Sequence, residues 1–130
     1  MSSLAFYFKS IGKNVAGYDK TPSEITISLQ QKGIEVHFED SIDLISDEYK
    51  NKENTLVIYT PAVPKNHIEL NFFFDTKFTV LKRSEILGEI TKNTFCLAVA
   101  GTHGKTTTST MLGHILKEAN VNATSFLGGI

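Results

Sequence analysis

The 130-residue sequence is poor in several features, and each scarcity narrows what it can be. It has a single cysteine, Cys96, so no internal disulfide can form, and the place of that thiol in an apolar stretch predicts that it is buried. Neither charge is in excess. Thirteen Lys and Arg stand against 14 Asp and Glu, a formal net charge of −1, and no stretch gathers enough basic residues for a nucleic-acid footprint. The longest apolar runs are a handful of residues, far short of the ~20 that cross a bilayer, and the opening lacks the basic and apolar regions of a secretory signal. A cytoplasmic protein with neither a nucleic-acid nor a membrane partner is therefore expected. The four histidines, His37, His67, His103 and His114, stand at no metal-ligand spacing to one another or to Cys96, and no zinc site is expected. Oligomeric state leaves no mark on the sequence.

What is present is a regular alternation. Leu4, Phe8 and Ile11 fall at helical spacing and Gly12 is a natural stop, so the chain is predicted to open in a helix. A strand over 14–18 ends at Asp19. Thr21-Pro22-Ser23-Glu24 then supplies a cap, a proline at the first helical position and a Glu reaching back, which starts a helix that Gly33 closes after Lys32. Strands are predicted at 34–38, 56–59 and 78–81, with helices at 66–74 and 84–90, a weaker helical segment at 41–46, and Phe72-Phe73-Phe74 in the core. The strand starts at 14, 34, 56 and 78 keep the pace of repeated strand-helix units in a parallel sheet. A polar break at 91–94 marks a domain boundary.

Beyond it, Phe95 to Ala100 reads as a strand and Lys105 onward as a helix, with Ala-Gly-Thr-His-Gly-Lys-Thr-Thr-Thr over 100–108 between them. A turn of this kind grips a nucleotide triphosphate. Gly101 and Gly104 let the backbone bring its N–H groups inward, Lys105 offers a point charge to the β and γ phosphates, and Thr106 offers a hydroxyl to Mg²⁺. The strict pattern has a glycine where Val99 stands, so the match is to the shorter Gly-x-x-Gly-Lys-Thr, strengthened by its strand-to-helix setting. A further strand is predicted at 124–127, before Gly128 and Gly129. Both ends look truncated: a sheet of this kind usually begins with a strand and a glycine-rich turn, and a phosphate-loop domain needs more strand-helix units than follow here.

Four strings, Met1-Ser-Ser-Leu-Ala5, Lys82-Arg-Ser-Glu-Ile-Leu87, Ala98-Val-Ala-Gly-Thr-His-Gly-Lys-Thr-Thr-Thr108 and Phe126-Leu-Gly-Gly-Ile130, make the chain resemble the Mur ligases of bacterial peptidoglycan synthesis over its whole length. His103 favours the member that joins L-alanine to UDP-N-acetylmuramate, with the ligase of a recycled murein tripeptide as the alternative. The resemblance implies a Rossmann-like parallel-sheet domain over 1–92, without its first strand and glycine loop, followed over 93–130 by the start of a P-loop NTPase-like α/β domain. It implies that Ser2 and Ser3 lie beside the diphosphate of the UDP-substrate, that Asp19 contacts its nucleoside, and that Thr60 and Ala62 form a second diphosphate-proximal turn. His67 and Arg83 are further substrate-contact candidates. ATP would be held by Gly101, Thr102, His103, Gly104, Lys105, Thr106 and Thr107, with Lys105 and Thr106 catalytic and Thr106 on Mg²⁺. The implied chemistry is attack of the muramyl carboxylate on the γ-phosphate, then displacement of phosphate by the amine of alanine. The fragment alone is expected to be inactive, at most a nucleotide-binding module.

Blander roles stand beside these. Asp19 could simply hold its own turn, His103 could be a polar loop residue, and His114 reads as structural. A nicotinamide-dependent oxidoreductase would also have a Rossmann-like first half with an acidic strand end, but it leaves Lys105 unexplained.

Overall fold

The computed structural model describes residues 1–127 and is α/β. Helix α1 (Ser2–Ser10) buries Leu4 and ends ahead of Gly12, whose φ of 81° suits a residue without a side chain. Strand β1 (Ala16–Tyr18), helix α2 (Glu24–Gln31) and strand β2 (Glu35–His37) follow, with β2 parallel to β1 and Gly17 opposite Val36. Two short 3₁₀ turns, Ile42–Leu44 and Asp47–Lys50, lead to β3 (Leu56–Tyr59), α3 (Ile68–Asp75), β4 (Thr79–Lys82) and α4 (Arg83–Lys92). Here β4 runs parallel to β3, with Val57 opposite Val80.

The expected parallel sheet is divided into two pairs, β1–β2 and β3–β4, and no ladder joins β1 to β3 among the described residues. Within each pair the parallel direction requires a crossover, which α2 supplies in the first and α3 in the second. Apolar packing follows the same division. Leu29 and Ile34 are buried at the α2–β2 corner, Ile86 on the inner face of α4, and Ile45 beyond the first 3₁₀ turn. The phenylalanine run expected in the core is not fully buried: Phe72 and Phe73 are half-buried and pack on Phe78 at ring distances of 6.3 and 5.0 Å, whereas Phe74 is 47% exposed and leans edge-on against Tyr59.

Helix α2 begins two residues later than its sequence signals suggest. Its cap is Ser23 rather than Thr21, and the box partner is Thr26 rather than Glu24: Ser23 Oγ accepts the Thr26 N–H at 3.2 Å, and Thr26 Oγ1 accepts the Ser23 N–H at 2.8 Å. Thr26 is 1% exposed, so this arrangement satisfies a hydroxyl that burial would otherwise leave unpaired. At the other end the Gly33 N–H, at φ 71°, donates to Gln30 O while the Ile34 N–H donates to Leu29 O, the pair of hydrogen bonds that closes a helix on a left-handed residue.

Two expected strands are not formed. Residues 95–100 and 124–127 have no ladder partner among the described residues, and extended backbone without a neighbour is not a strand. Cys96 is consequently exposed rather than buried, and Phe95 beside it is 92% exposed, because nothing covers the faces of that segment. Helix α5 (Lys105–Glu118) forms as predicted, with Leu112 and Leu116 half-buried and Met111, Ile115 and His114 exposed. Gly128, Gly129 and Ile130 lie outside the described residues.

Tyr49, on the second 3₁₀ turn, is pushed up to about 12 by its burial first and by the carboxylates of Glu48 and Glu35 next. A raised phenol favours the protonated native state, so stability holds below pH 10 and falls as pH rises from 10 toward 12. Of the four tyrosines, one is therefore expected to titrate near 12 by ultraviolet absorbance, and that phase should vanish in Tyr49→Phe. Ser23→Ala is expected to lower unfolding free energy by about 1 kcal/mol, read as a shifted denaturant midpoint at unchanged slope.

Candidate functional site

Parallel strands present their carboxyl ends on one edge, and the helices that return from them present their amino ends there too. The structure gathers most of the sequence-predicted residues of the first domain on that edge. Ser2 and Ser3 form the half-buried first turn of α1, Asp19 follows β1, Thr60 and Ala62 follow β3, and Arg83 opens α4 directly after β4. Convergence of these ends is visible in their contacts. Tyr18, the last residue of β1, meets the His67 ring edge-on at 4.6 Å, and the amino group of Met1 feels both the Arg83 guanidinium and the Asp19 carboxylate. Asp19 also accepts the Thr21 N–H at 3.2 Å, so the turn-holding role is real whatever else the exposed carboxylate does.

The glycine loop lies between segment 95–100 and α5. Gly104 is the N-cap of α5 at φ 73°, a left-handed conformation that side chains resist, and it supplies no side-chain cap to the helix. Gly101 also has positive φ, at 156°. Lys105 folds back over the loop: its Nζ donates to Gly101 O at 2.7 Å and lies 3.4 Å from Thr102 O. An ammonium held by two loop carbonyls beside the positive end of a 14-residue helix makes a compact cationic, exposed turn. Thr102, His103, Thr106 and Thr107 are all exposed around it. The strand side of the expected corner is the unpaired segment 95–100.

Residues 124–127 lie against α1, α4 and α5. Phe126 meets the Tyr7 ring on α1 edge-on at 5.5 Å, Leu127 O accepts from Arg83 Nη2 at 3.3 Å, and a Cβ on Gly113 of α5 would come within 2.6 Å of Ser125 Oγ. The Arg83 Nε is buried with no partner among the described residues.

Sequence reasoning missed a polar cluster at the start of α3. The Asp40 carboxylate accepts the Ile68 N–H at 2.8 Å and the Glu69 N–H at 3.0 Å, while Glu69 Oε1 takes the Ser41 N–H at 3.0 Å and lies 2.7 Å from His37 Nε2. His67 and Glu69 are 7% and 6% exposed. His67 Nδ1 sits 3.1 Å from Asp40 Oδ1 and 3.3 Å from the Leu70 nitrogen. One state cannot serve both: a bare Nδ1 accepts from Leu70, a protonated one donates to Asp40. The buried His67 Nε2 has no partner among the described residues. Withdrawal from water raises the Asp40 carboxyl, but the Glu69 and Ile68 N–H groups, with His67 and His37 nearby, outweigh it and hold the carboxyl below its ordinary 3.8. No sequence motif announces these bonds, because their partners lie 28 and 32 residues apart.

Residues 1–94 match the model of the Mur ligase family, catalytic domain. Over all 130 residues the chain is 65% identical to the UDP-N-acetylmuramate–L-alanine ligase of Flavobacterium psychrophilum and 54% identical to that of Parabacteroides distasonis, covering 29% and 28% of their lengths. Among solved structures it is similar to the UDP-N-acetylmuramate-alanine ligase MurC of Thermotoga maritima, with a TM-score of 0.86, 33% identity and coverage of 100% of this chain and 29% of that one. A murein peptide ligase from Psychrobacter arcticus superposes with a TM-score of 0.79 at 26% identity, over 99% of this chain and 31% of that one. The chain thus spans under a third of the length of the curated relatives it matches.

A depressed carboxyl contributes stability above its unfolded value and loses it as pH falls through the folded one. Asp40→Asn is accordingly expected to flatten the fall in stability below about pH 4, measured by circular dichroism during acid titration, and to lower stability at neutral pH.

Proposed function

Because the chain belongs to the Mur ligase family, we propose that its 130 residues serve an ATP-dependent ligase that joins L-alanine to UDP-N-acetylmuramate in building the bacterial cell wall. The observation that carries the ATP half of this reading is Lys105, bridged to the carbonyls of Gly101 and Thr102 at the mouth of a glycine loop that runs into α5. A phosphate entering the loop would meet that ammonium, the backbone N–H groups of the loop and the positive helix end together. Gly101 and Gly104 give the backbone its shape, and Thr102, His103 and Thr107 line the exposed rim.

Each group has a limited task. The muramyl carboxylate oxygen attacks the γ-phosphorus and ADP leaves with the bonding pair. The amine of alanine then attacks the acyl carbon, phosphate leaves, and the amine gives up a proton. Lys105 neutralises charge on the transferred group, and the loop orients it in line. Thr106 presents a hydroxyl oxygen, the hard donor class that Mg²⁺ takes, and the ion when bound would offset the phosphate charge. Among the described residues no group of three His, Cys, Asp or Glu could hold a metal. On the strand-end edge, Ser2 and Ser3 at the amino end of α1 and the Thr60–Ala62 turn receive the diphosphate, with Asp19 at the nucleoside.

The L-alanine reading is preferred to the murein tripeptide reading because relatives bearing the first name reach 65% identity, and among solved structures the L-alanine ligase matches at 33% identity and TM-score 0.86 against 26% and 0.79 for the murein peptide ligase. A nicotinamide-dependent oxidoreductase would give Lys105 and its loop no task. No helix among the described residues is long and apolar enough to cross a membrane, which agrees with work in the cytoplasm where ATP and UDP-sugars are made.

In a full-length ligase carrying these residues, Lys105→Ala is expected to cut alanine-dependent ADP release by at least about a hundredfold. The check is a coupled ADP assay with UDP-N-acetylmuramate saturating. Near-normal turnover in that variant removes Lys105 from phosphoryl transfer.

A further inference from the structure

We propose that Arg83 is a positioning residue for phosphoryl transfer, tying the strand-end edge that receives the UDP-substrate to the segment that follows the ATP-binding helix. The inference rests on the ligase reading above and adds to it a residue that aligns the two substrates. Strand register puts Arg83 on the substrate edge. Lys82, the last residue of β4, lies opposite Tyr59, the last of β3, so the next residues along these parallel strands, Arg83 and Thr60, leave the sheet side by side. The first turn of α4 is fixed there by its own cap, in which the Lys82 N–H donates to Glu85 Oε2 at 2.6 Å. Arg83 thus begins beside the proposed diphosphate turn. Its half-buried side chain ends elsewhere: Nη2 donates to the backbone oxygen of Leu127 at 3.3 Å, 44 residues along the chain.

Leu127 belongs to a segment that is held on its other sides. Phe126 sets its ring edge-on to Tyr7 at 5.5 Å, and Tyr7 lies on α1, the helix that Ser2 and Ser3 open. Ser125 lies so near α5 that a Cβ on Gly113 would come within 2.6 Å of its Oγ and 3.5 Å of its Cβ. Gly113 in turn stands on the helix that Lys105 begins. Successive residues 125, 126 and 127 therefore touch α5, α1 and Arg83, a packed path from the glycine loop to both proposed diphosphate contacts. Alignment along that path matters because the muramyl carboxylate must come within about 3–3.5 Å of the γ-phosphorus and in line with the leaving group. Binding of either substrate alone makes no such demand. An arginine suits the position: its guanidinium stays charged and donates along fixed directions, so a carbonyl taken by Nη2 is held in orientation as well as in distance. Its loss should reach kcat before either KM.

The test compares Arg83→Met, Arg83→Lys, Phe126→Ala and the Arg83→Met, Phe126→Ala double variant in a full-length ligase, with kcat, separate KM values for UDP-N-acetylmuramate and ATP, and a thermal melt for each. Arg83→Met keeps an apolar stem and removes every donor, and it is expected to lower kcat by about tenfold or more with both KM values within about twofold. Arg83→Lys, which keeps an N–H donor for the Leu127 oxygen, should recover kcat to within about threefold of the parent. Phe126→Ala should lower kcat by about threefold or more, again at steady KM. The double variant should lose less than the product of the two single losses, because both release the same segment. If Arg83→Met is too unstable to assay, Phe126→Ala decides by the same split between kcat and KM. A kcat within about twofold of the parent in folded Arg83→Met, or a raised UDP-substrate KM at unchanged kcat, as a direct ligand contact would give, overturns the positioning role and leaves the ligase reading intact. A parent enzyme with no turnover that depends on alanine and the UDP-sugar overturns the ligase reading itself.

Discussion

Parallel strand pairing is the constraint on which the rest of the molecule depends. Two parallel neighbours cannot be joined by a tight turn, so α2 and α3 must carry the chain back, and every carboxyl strand end then arrives where helices begin. That edge collects N–H donors and positive helix ends without any residue being chosen for them. The side chains placed there, Ser2, Ser3, Asp19, Thr60 and Arg83, refine a surface already suited to anionic ligands.

The proposed function asks the chain to meet anions in two ways. On the strand-end edge the donors come from several elements, and the half-buried Asp40 and the buried Glu69 bond the backbone of one another's segments there. In the glycine loop the donors are consecutive residues, and the register is built into the backbone by positive φ at Gly101 and Gly104. The first arrangement suits an extended ligand with distinct parts. The second suits a compact, highly charged one. Segment 124–127 touches α1, α4 and α5, so the two arrangements are connected through packing.

Much of this was legible in one dimension. Strand β3 carries its own evidence in Leu56 to Tyr59, a continuous apolar run, and Gly33 and Gly104 mark a helix end and a helix start by conformations that side chains resist. The glycine loop is local, so its residues could be named from spacing alone. What failed was whatever depended on a neighbour. Residues 95–100 have the composition of a strand but no partner among the described residues, and Cys96 lost its expected burial with the ladder. The cap of α2 moved to Ser23 because Thr26 needed its hydroxyl satisfied, a demand set by burial and not by the local pattern. The carboxylate cluster was invisible for the same reason: nothing in the sequence brings Asp40 to Ile68 until the fold does.

The division of the strands into two pairs also bears on how the chain reaches its native state. Each pair closes over a short span of sequence, Ala16 meeting Glu35 and Leu56 meeting Thr79, with one helix inside each loop. Short closures cost little chain entropy, so both halves can organise from local contacts before either finds the other.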